Sequence, residues 1–314
     1  MNTATRVSVF AAGLVLAFGA ALGAGQLIGP LGSIGPANAQ EPHPGMTAND
    51  HGDTGGTDGN AASGGGHDAP GASVAPAGLS ATDQGYQLVP GATTVAPSAS
   101  ARVTFRVLGP DGQAVTGFTT AHERRLHLIV VRRDLSGFQH VHPTMAADGT
   151  WSVALDLSRP GQWRMFADFD PEGPTEGLVL GTDLAVPGDY TPVAVPAPQT
   201  STAVEGYTVR ADGTLDPRDA RPVDFAITRT QGSTVDLEPY LGADGHLVVL
   251  REGDLAYAHA HAIPSTAEGT PDAGTVGFQV QAPGPGRYRM FLDFKTSGTV
   301  HTAAFTADAG RTTP

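Results

Sequence analysis

The chain reads as all-β: two tandem immunoglobulin-like or cupredoxin-like β-sandwich domains that come after an N-terminal apolar helix and a disordered tether. Three features predict this. The two halves repeat each other, each half breaks into short runs rich in β-branched and aromatic residues, and no long helical period interrupts them. The 42 Gly and 25 Pro among 314 residues supply the turns such a fold needs.

Taken in order, residues 1–39 form a targeting segment. Arg6 is the only charge before Glu41, the run VSVFAAGLVLAFGAALGAGQLIG comes directly after it, and Ala37-Asn38-Ala39 offers a cleavage site. The apolar run is close to the roughly 20 residues that span a bilayer. The segment is therefore a cleaved signal peptide or a membrane anchor. Either one exports the remainder of the chain, anchored and facing outward or secreted. Residues 40–78 lack apolar periodicity and are expected to be a flexible Gly- and Asp-rich tether carrying His43, His51 and His67.

The repeats come next, at residues 79–195 and 205–310, with a Pro-rich connector over 187–204. VTFRVLGPDGQAV (103–115) matches VDFAITRTQGSTV (223–235). HLIVVRRDLSGFQHVH (127–142) aligns without a gap on HLVVLREGDLAYAHAH (246–261), and PGQWRMFADF (160–169) on PGRYRMFLDF (285–294). Turn signals such as Pro110-Asp111-Gly112 and Arg159-Pro160-Gly161 separate the runs.

Composition excludes several classes. A net charge of −13, with Lys295 as the sole lysine, makes nucleic acid a poor partner. The absence of cysteine removes disulfides, thiolate nucleophiles, iron–sulfur clusters and the thiolate copper site. The stretch HERRLH (122–127) places its second His at +5, off the helical face a zinc protease motif requires. No nucleophile elbow, phosphate loop or dinucleotide fingerprint is present, so a non-enzymatic role is expected.

Six of the 11 histidines form two triplets with one spacing, H-x12-H-x-H: His127, His140 and His142, then His246, His259 and His261. Side chains alternate along a strand, so His140 and His142 share a face. If Ile129 pairs with His140 in a hairpin, His127 lies opposite His142, with Cβ atoms about 5 Å apart. Three imidazoles then converge closely enough to hold one metal ion in each repeat. A slip of one residue would send His127 to the other face. Packing is the plain alternative, with His127 and His246 bonding a nearby carbonyl. His122 and His301 occur in one repeat each and are weaker ligand candidates. Met165 and Met290 alternate with aromatics and belong in the core. Asp168 and Asp293 share a strand face with Arg164 and Arg289, which suggests an internal ion pair or a turn contact more than a ligand role.

HLIVVRRDLSGFQHVHP, PGQWRMFADF and their second copies resemble a family of exported actinobacterial tandem-repeat proteins, some labelled heavy-metal-binding. The resemblance covers about residues 80–308 and implies export and, for some members, metal binding. In related sequences the second H-x-H is usually followed by Pro, whereas Ala262 stands here. The resulting expectation is an exported metal-binding protein. Copper is favoured over zinc because imidazole suits both ions, Cu(II) tops the divalent affinity order, and no thiolate is present to favour Cu(I). The alternative is a cell-surface structural or interaction protein. Neither reading identifies a protein partner.

Overall fold

The computed structural model describes residues 76–173, 175, 177–263 and 274–310. The expected signal or anchor and nearly all of the tether lie outside these residues. Among the described residues every regular element is a strand, and no helix is long and apolar enough to cross a membrane.

In the first repeat the strands are β1 (Thr82–Asp83), β2 (Tyr86–Pro90), β3 (Ala101–Leu108), β4 (Phe118–Thr119) and β5 (His127–Arg132). They continue as β6 (Gln139–Val141), β7 (Thr144–Met145), β8 (Trp151–Leu155), β9 (Gly161–Pro171) and β10 (Leu178–Val186). One sheet has the order β1-β2-β3-β8-β7 and the other β10-β9-β5-β6. This is the immunoglobulin Greek key. Every ladder is antiparallel, and the chain after β2 touches β10 in a single parallel bridge, Thr94 to Ala185. The immunoglobulin-like form is thus the one adopted, rather than the cupredoxin-like one. Tyr86, Phe105, Trp151, Trp163 and Met165 fill the space between the sheets.

The second repeat has β11 (Ser201–Val204), β12 (Tyr207–Gly213), β13 (Arg221–Arg229) and β14 (His246–Arg251). After these come β15 (Tyr257–Ala262), β16 (Thr275–Gln281), β17 (Gly286–Thr296) and β18 (Thr299–Ala309). The strand order is that of the first repeat, but the two sheets join into one through β15. That strand pairs with β14 at Ala258 and Tyr257, then crosses to pair with β16 from His259 to Ala262. In the first repeat the same path is cut into β6 and β7, and Pro143 sits at the break. Proline has no N–H to give a ladder, so it ends a strand where Ala262 lets β15 continue.

The apolar runs LIVV and LVVL do not alternate with polar residues because both faces of β5 and β14 are covered. Leu128 and Val130 enter the first core, and Leu247 and Val249 the second. The opposite faces meet each other. Ile129, Val131, Leu135, Phe166 and Val179 pack with Val248, Leu250, Leu255, Tyr257 and Phe291 in a third core at the seam between repeats. Phe138 stacks on Phe291 with centroids 4.0 Å apart, while Tyr257 lies 5.8 Å from Phe166. Each fully buried side chain of this kind stabilises by roughly 1.5–3 kcal/mol. The described residues of both repeats accordingly belong to one compact unit.

Candidate metal centre

The register of the first hairpin is the one that brings the triplet together. Ile129 pairs with His140, and Leu128 with Val141. Parity then fixes the direction: Ile129 and Val131 face the seam, so His127, His140 and His142 face it as well. β9 places Asp168 across from His127, and in the second repeat β17 places Asp293 across from His246. One face of each repeat thus directs imidazoles and a carboxylate into a shared boundary.

There, one ligand atom from each of His127, His140 and His142 lies within 4.8 Å of the others. His127 Nδ1 is 3.1 Å from His140 Nε2 and 3.2 Å from His142 Nε2. Outer partners orient two of these rings. His140 donates from Nδ1 to Asp293 Oδ2 at 2.7 Å, with both side chains buried. His127 donates from Nε2 to the Ala121 carbonyl at 3.3 Å. Both partners only accept, so in the neutral rings the lone pairs sit on His127 Nδ1 and His140 Nε2, and these face each other. Asp293 is itself held, since Thr302 Oγ1 donates to its Oδ1 at 2.6 Å.

Ala121, His122, Glu123 and Arg124 form a tight turn in which Ala121 and Arg124 exchange backbone hydrogen bonds. His122 and Glu123 have φ of 47° and 62°, a conformation that suits glycine and costs a non-glycine residue of order 1–3 kcal/mol. The turn places the exposed His122 ring 6.1 Å from His127 and 5.9 Å from His246, centroid to centroid.

Burial, followed by the charge of His140, lowers the His127 pKa to about 3. The same causes bring His142 to about 4, and burial moves His246 well below the ordinary range. Asp168 is pushed up to about 6, first by burial and then by Asp170, although the Tyr257 hydroxyl donates to it. Tyr240 rises to about 12 through burial and the nearby Asp293. A cavity of about 220 Å³ opens beside the cluster, lined by His122, His127, Asp168, His246, Tyr257 and His261 among others.

The triplets are not segregated by repeat as the sequence suggested. His246 stands beside the first triplet, its ring centroid 5.4 Å from His127 and 4.7 Å from His140. His261 lines the cavity. The side chain of His259 lies outside the described residues. His301 faces the interior of its own repeat, between Tyr207 and Phe294, and pairs with Glu205 at 2.5 Å. The residue matching it in register is Leu178, which pairs with Phe169 as His301 pairs with Phe294. Met165 and Met290 are buried core residues.

Among the described residues Arg164 and Arg289 do not pair with Asp168 and Asp293, so the ion-pair form of that expectation is not the one adopted. Arg164 bonds Asp183, Arg289 bonds Thr306, and Asp293 turns to His140 instead. Asp168, Asp293 and Tyr257 are thus the site residues that sequence reasoning missed. The repetition of the Asp in RMFADF and RMFLDF was the available signal.

Fold and site define a tandem immunoglobulin-like protein with a histidine–carboxylate cluster at the seam between its domains. The chain belongs to the family described as Domain of unknown function (DUF8832), whose model matches residues 81–178 and 202–311, one match for each repeat. No curated protein matches it. Among solved structures it is similar to InvD of Yersinia pseudotuberculosis, at 13% identity over 74% of this chain and 62% of that one, TM-score 0.24. It is similar to the Escherichia coli adhesin FdeC at 15% identity over 73% and 65%, TM-score 0.24. Domains 5-6 of the S-layer protein SbsC give 14% identity over 72% and 98%, TM-score 0.22. The chain thus spans less than two thirds of the InvD and FdeC chains. TM-scores this low carry no functional argument.

Proposed function

We propose that this is an exported metal-binding protein that holds a copper or zinc ion at His127, His140 and His142 and buffers it or hands it on outside the cytoplasm. One observation carries the reading. Outer hydrogen bonds aim the lone pairs of His127 Nδ1 and His140 Nε2 at each other across 3.1 Å. Two lone pairs so placed repel unless a cation lies between them. Histidine ligands of metals typically donate their other N–H to a carboxylate or carbonyl, as these two do. A zinc–nitrogen distance of about 2.0–2.1 Å in a tetrahedral site gives nitrogen–nitrogen edges of roughly 3.3–3.4 Å. The 3.1 and 3.2 Å separations are close to such edges. Imidazole donors suit Cu(II) and Zn(II), and Cu(II) stands at the top of the divalent affinity order. Export is supported by the apolar segment near residues 7–29.

The test is titration of the chelator-stripped chain, carrying His43→Ala, His51→Ala and His67→Ala to silence the tether, with Cu(II) and Zn(II). Tight binding is expected, along with its loss in His127→Ala and in the paired His140→Ala, His142→Ala variant. Undiminished affinity in those variants would remove the cluster as the site. Protease treatment of intact cells tests export, since a chain protected until lysis contradicts it.

A second reading, a surface structural or interaction module, is favoured by one feature. If His140 carries both protons, the chain Asp293–His140–His127–Ala121 is a complete series of hydrogen bonds with no ion at all. The cluster would then serve to join the repeats. Failure of the parent chain to bind either metal at micromolar concentration would select this reading.

A further inference from the structure

We infer that the ion is shared by both repeats: His246 of the second repeat is the fourth ligand, so the chain holds one ion at the seam rather than one in each domain. This rests on the metal-binding reading above and deepens it.

The ring positions carry the inference. An imidazole nitrogen about 2.0–2.1 Å from an ion puts its ring centre roughly 3.2 Å away, so the ring centres of tetrahedral ligands stand roughly 5.2 Å apart. Within the triad the centroid separations are 5.4, 5.0 and 5.0 Å. His246 continues the same spacing, at 5.4 Å from His127 and 4.7 Å from His140. In its present rotamer it stands outside the triad's group of converging ligand atoms, so its ring is the one that turns on loading. His122 is farther away, at 6.1 Å from His127, and sits on an exposed turn.

Charge agrees with this placement. Four neutral imidazoles leave the double positive charge of an ion uncompensated in a buried place, which is costly. Two carboxylates answer it, one from each repeat. Asp293 reaches His140 directly, and Asp168 lies across the ladder from His127. The second triplet is poorly placed to make a site of its own, because β15 has left β14 for β16 by the time it reaches His259 and His261. An ion held by His246 together with the first triplet binds only when the two repeats are docked, and it ties them together.

The experiment uses the full chain with the three tether histidines replaced, stripped and then titrated with Cu(II). One tight ion per chain is expected, with electron paramagnetic resonance showing four coordinated nitrogens in the parent and three in His246→Ala. Affinity should fall at least about tenfold in that variant, the scale known for loss of even an outer partner of a metal ligand. His246→Gln, which preserves more of the packing, should behave the same way, and circular dichroism checks that both variants fold. The nitrogen count of the parent stands even if neither does. Two tight ions per chain, or three nitrogens in the parent, would overturn the inference and leave metal binding intact. So would a His246→Ala variant that binds as the parent does while His127→Ala does not. A parent that binds no metal would overturn both.

Discussion

His140, on the first repeat, donates its Nδ1 proton to Asp293, on the second, across 2.7 Å. The carboxylate orients the ring that faces His127 and at the same time joins the two domains, so the geometry of the histidine cluster and the packing of the domains depend on one contact. Thr302 holds the other oxygen of Asp293, which leaves it little freedom to turn away.

Asp293→Asn should therefore weaken Cu(II) or Zn(II) binding about 10- to 100-fold, the usual effect of losing an outer carboxylate partner. Competition with a chromogenic chelator measures this. An affinity equal to that of the parent would show that the His140 ring needs no partner.

Stability without metal should fall as the pH drops from 6.5 to 4. His127 and His142 titrate at about 3 and 4 in the fold, and burial lowers His246 as well. The unfolded chain binds protons near pH 6.5 that the fold refuses, so the stability these rings contribute is full above 6.5 and is lost below it. Asp168, raised to about 6, acts in the opposite sense between its unfolded value and 6. Three histidines outweigh one carboxyl, and each group contributes at most about 1.4 kcal/mol per pH unit. Urea midpoints at pH 7.5, 5.5 and 4.5 should decline; a flat series would mean that these rings take up protons as readily in the fold as in the unfolded chain.

Phe291→Ala should cost about 3–5 kcal/mol, the range for a buried aromatic residue. Its ring stacks on Phe138 and belongs to the core between the repeats, so its loss acts on their docking before it acts on either sandwich. Calorimetry should resolve two transitions in the variant where the parent shows one. A single unshifted transition would mean that the seam contributes little.

Glu123→Gly should raise stability by about 1 kcal/mol, because it relieves a non-glycine residue held at φ 62° in the turn below His127. Thermal unfolding reads this directly. A lower melting temperature would show that the Glu123 side chain makes a stabilising contact that outweighs the backbone strain.

The sequence by itself determined the repeat and the strand runs. Each of these is local: alternation fixes which residues share a face, and the internal alignment fixes what recurs. The pairing of Ile129 with His140 was the register that a shared face for the three histidines requires, and a slip of one residue was the alternative the local pattern left open. Tertiary structure decided which way that face points. HLIVV and HLVVL are apolar on both faces, and a local pattern cannot say whether the second face meets solvent, another chain or the neighbouring repeat. Docking of the two repeats answered this, and with it came Asp293 beside His140 and His246 beside His127, contacts between residues more than a hundred positions apart. The register of the β17–β18 hairpin, observed only in the fold, turned His301 into the interior of its own repeat and away from the cluster. A site made where two copies of one pattern meet belongs to neither copy alone, so only the packed pair reveals it.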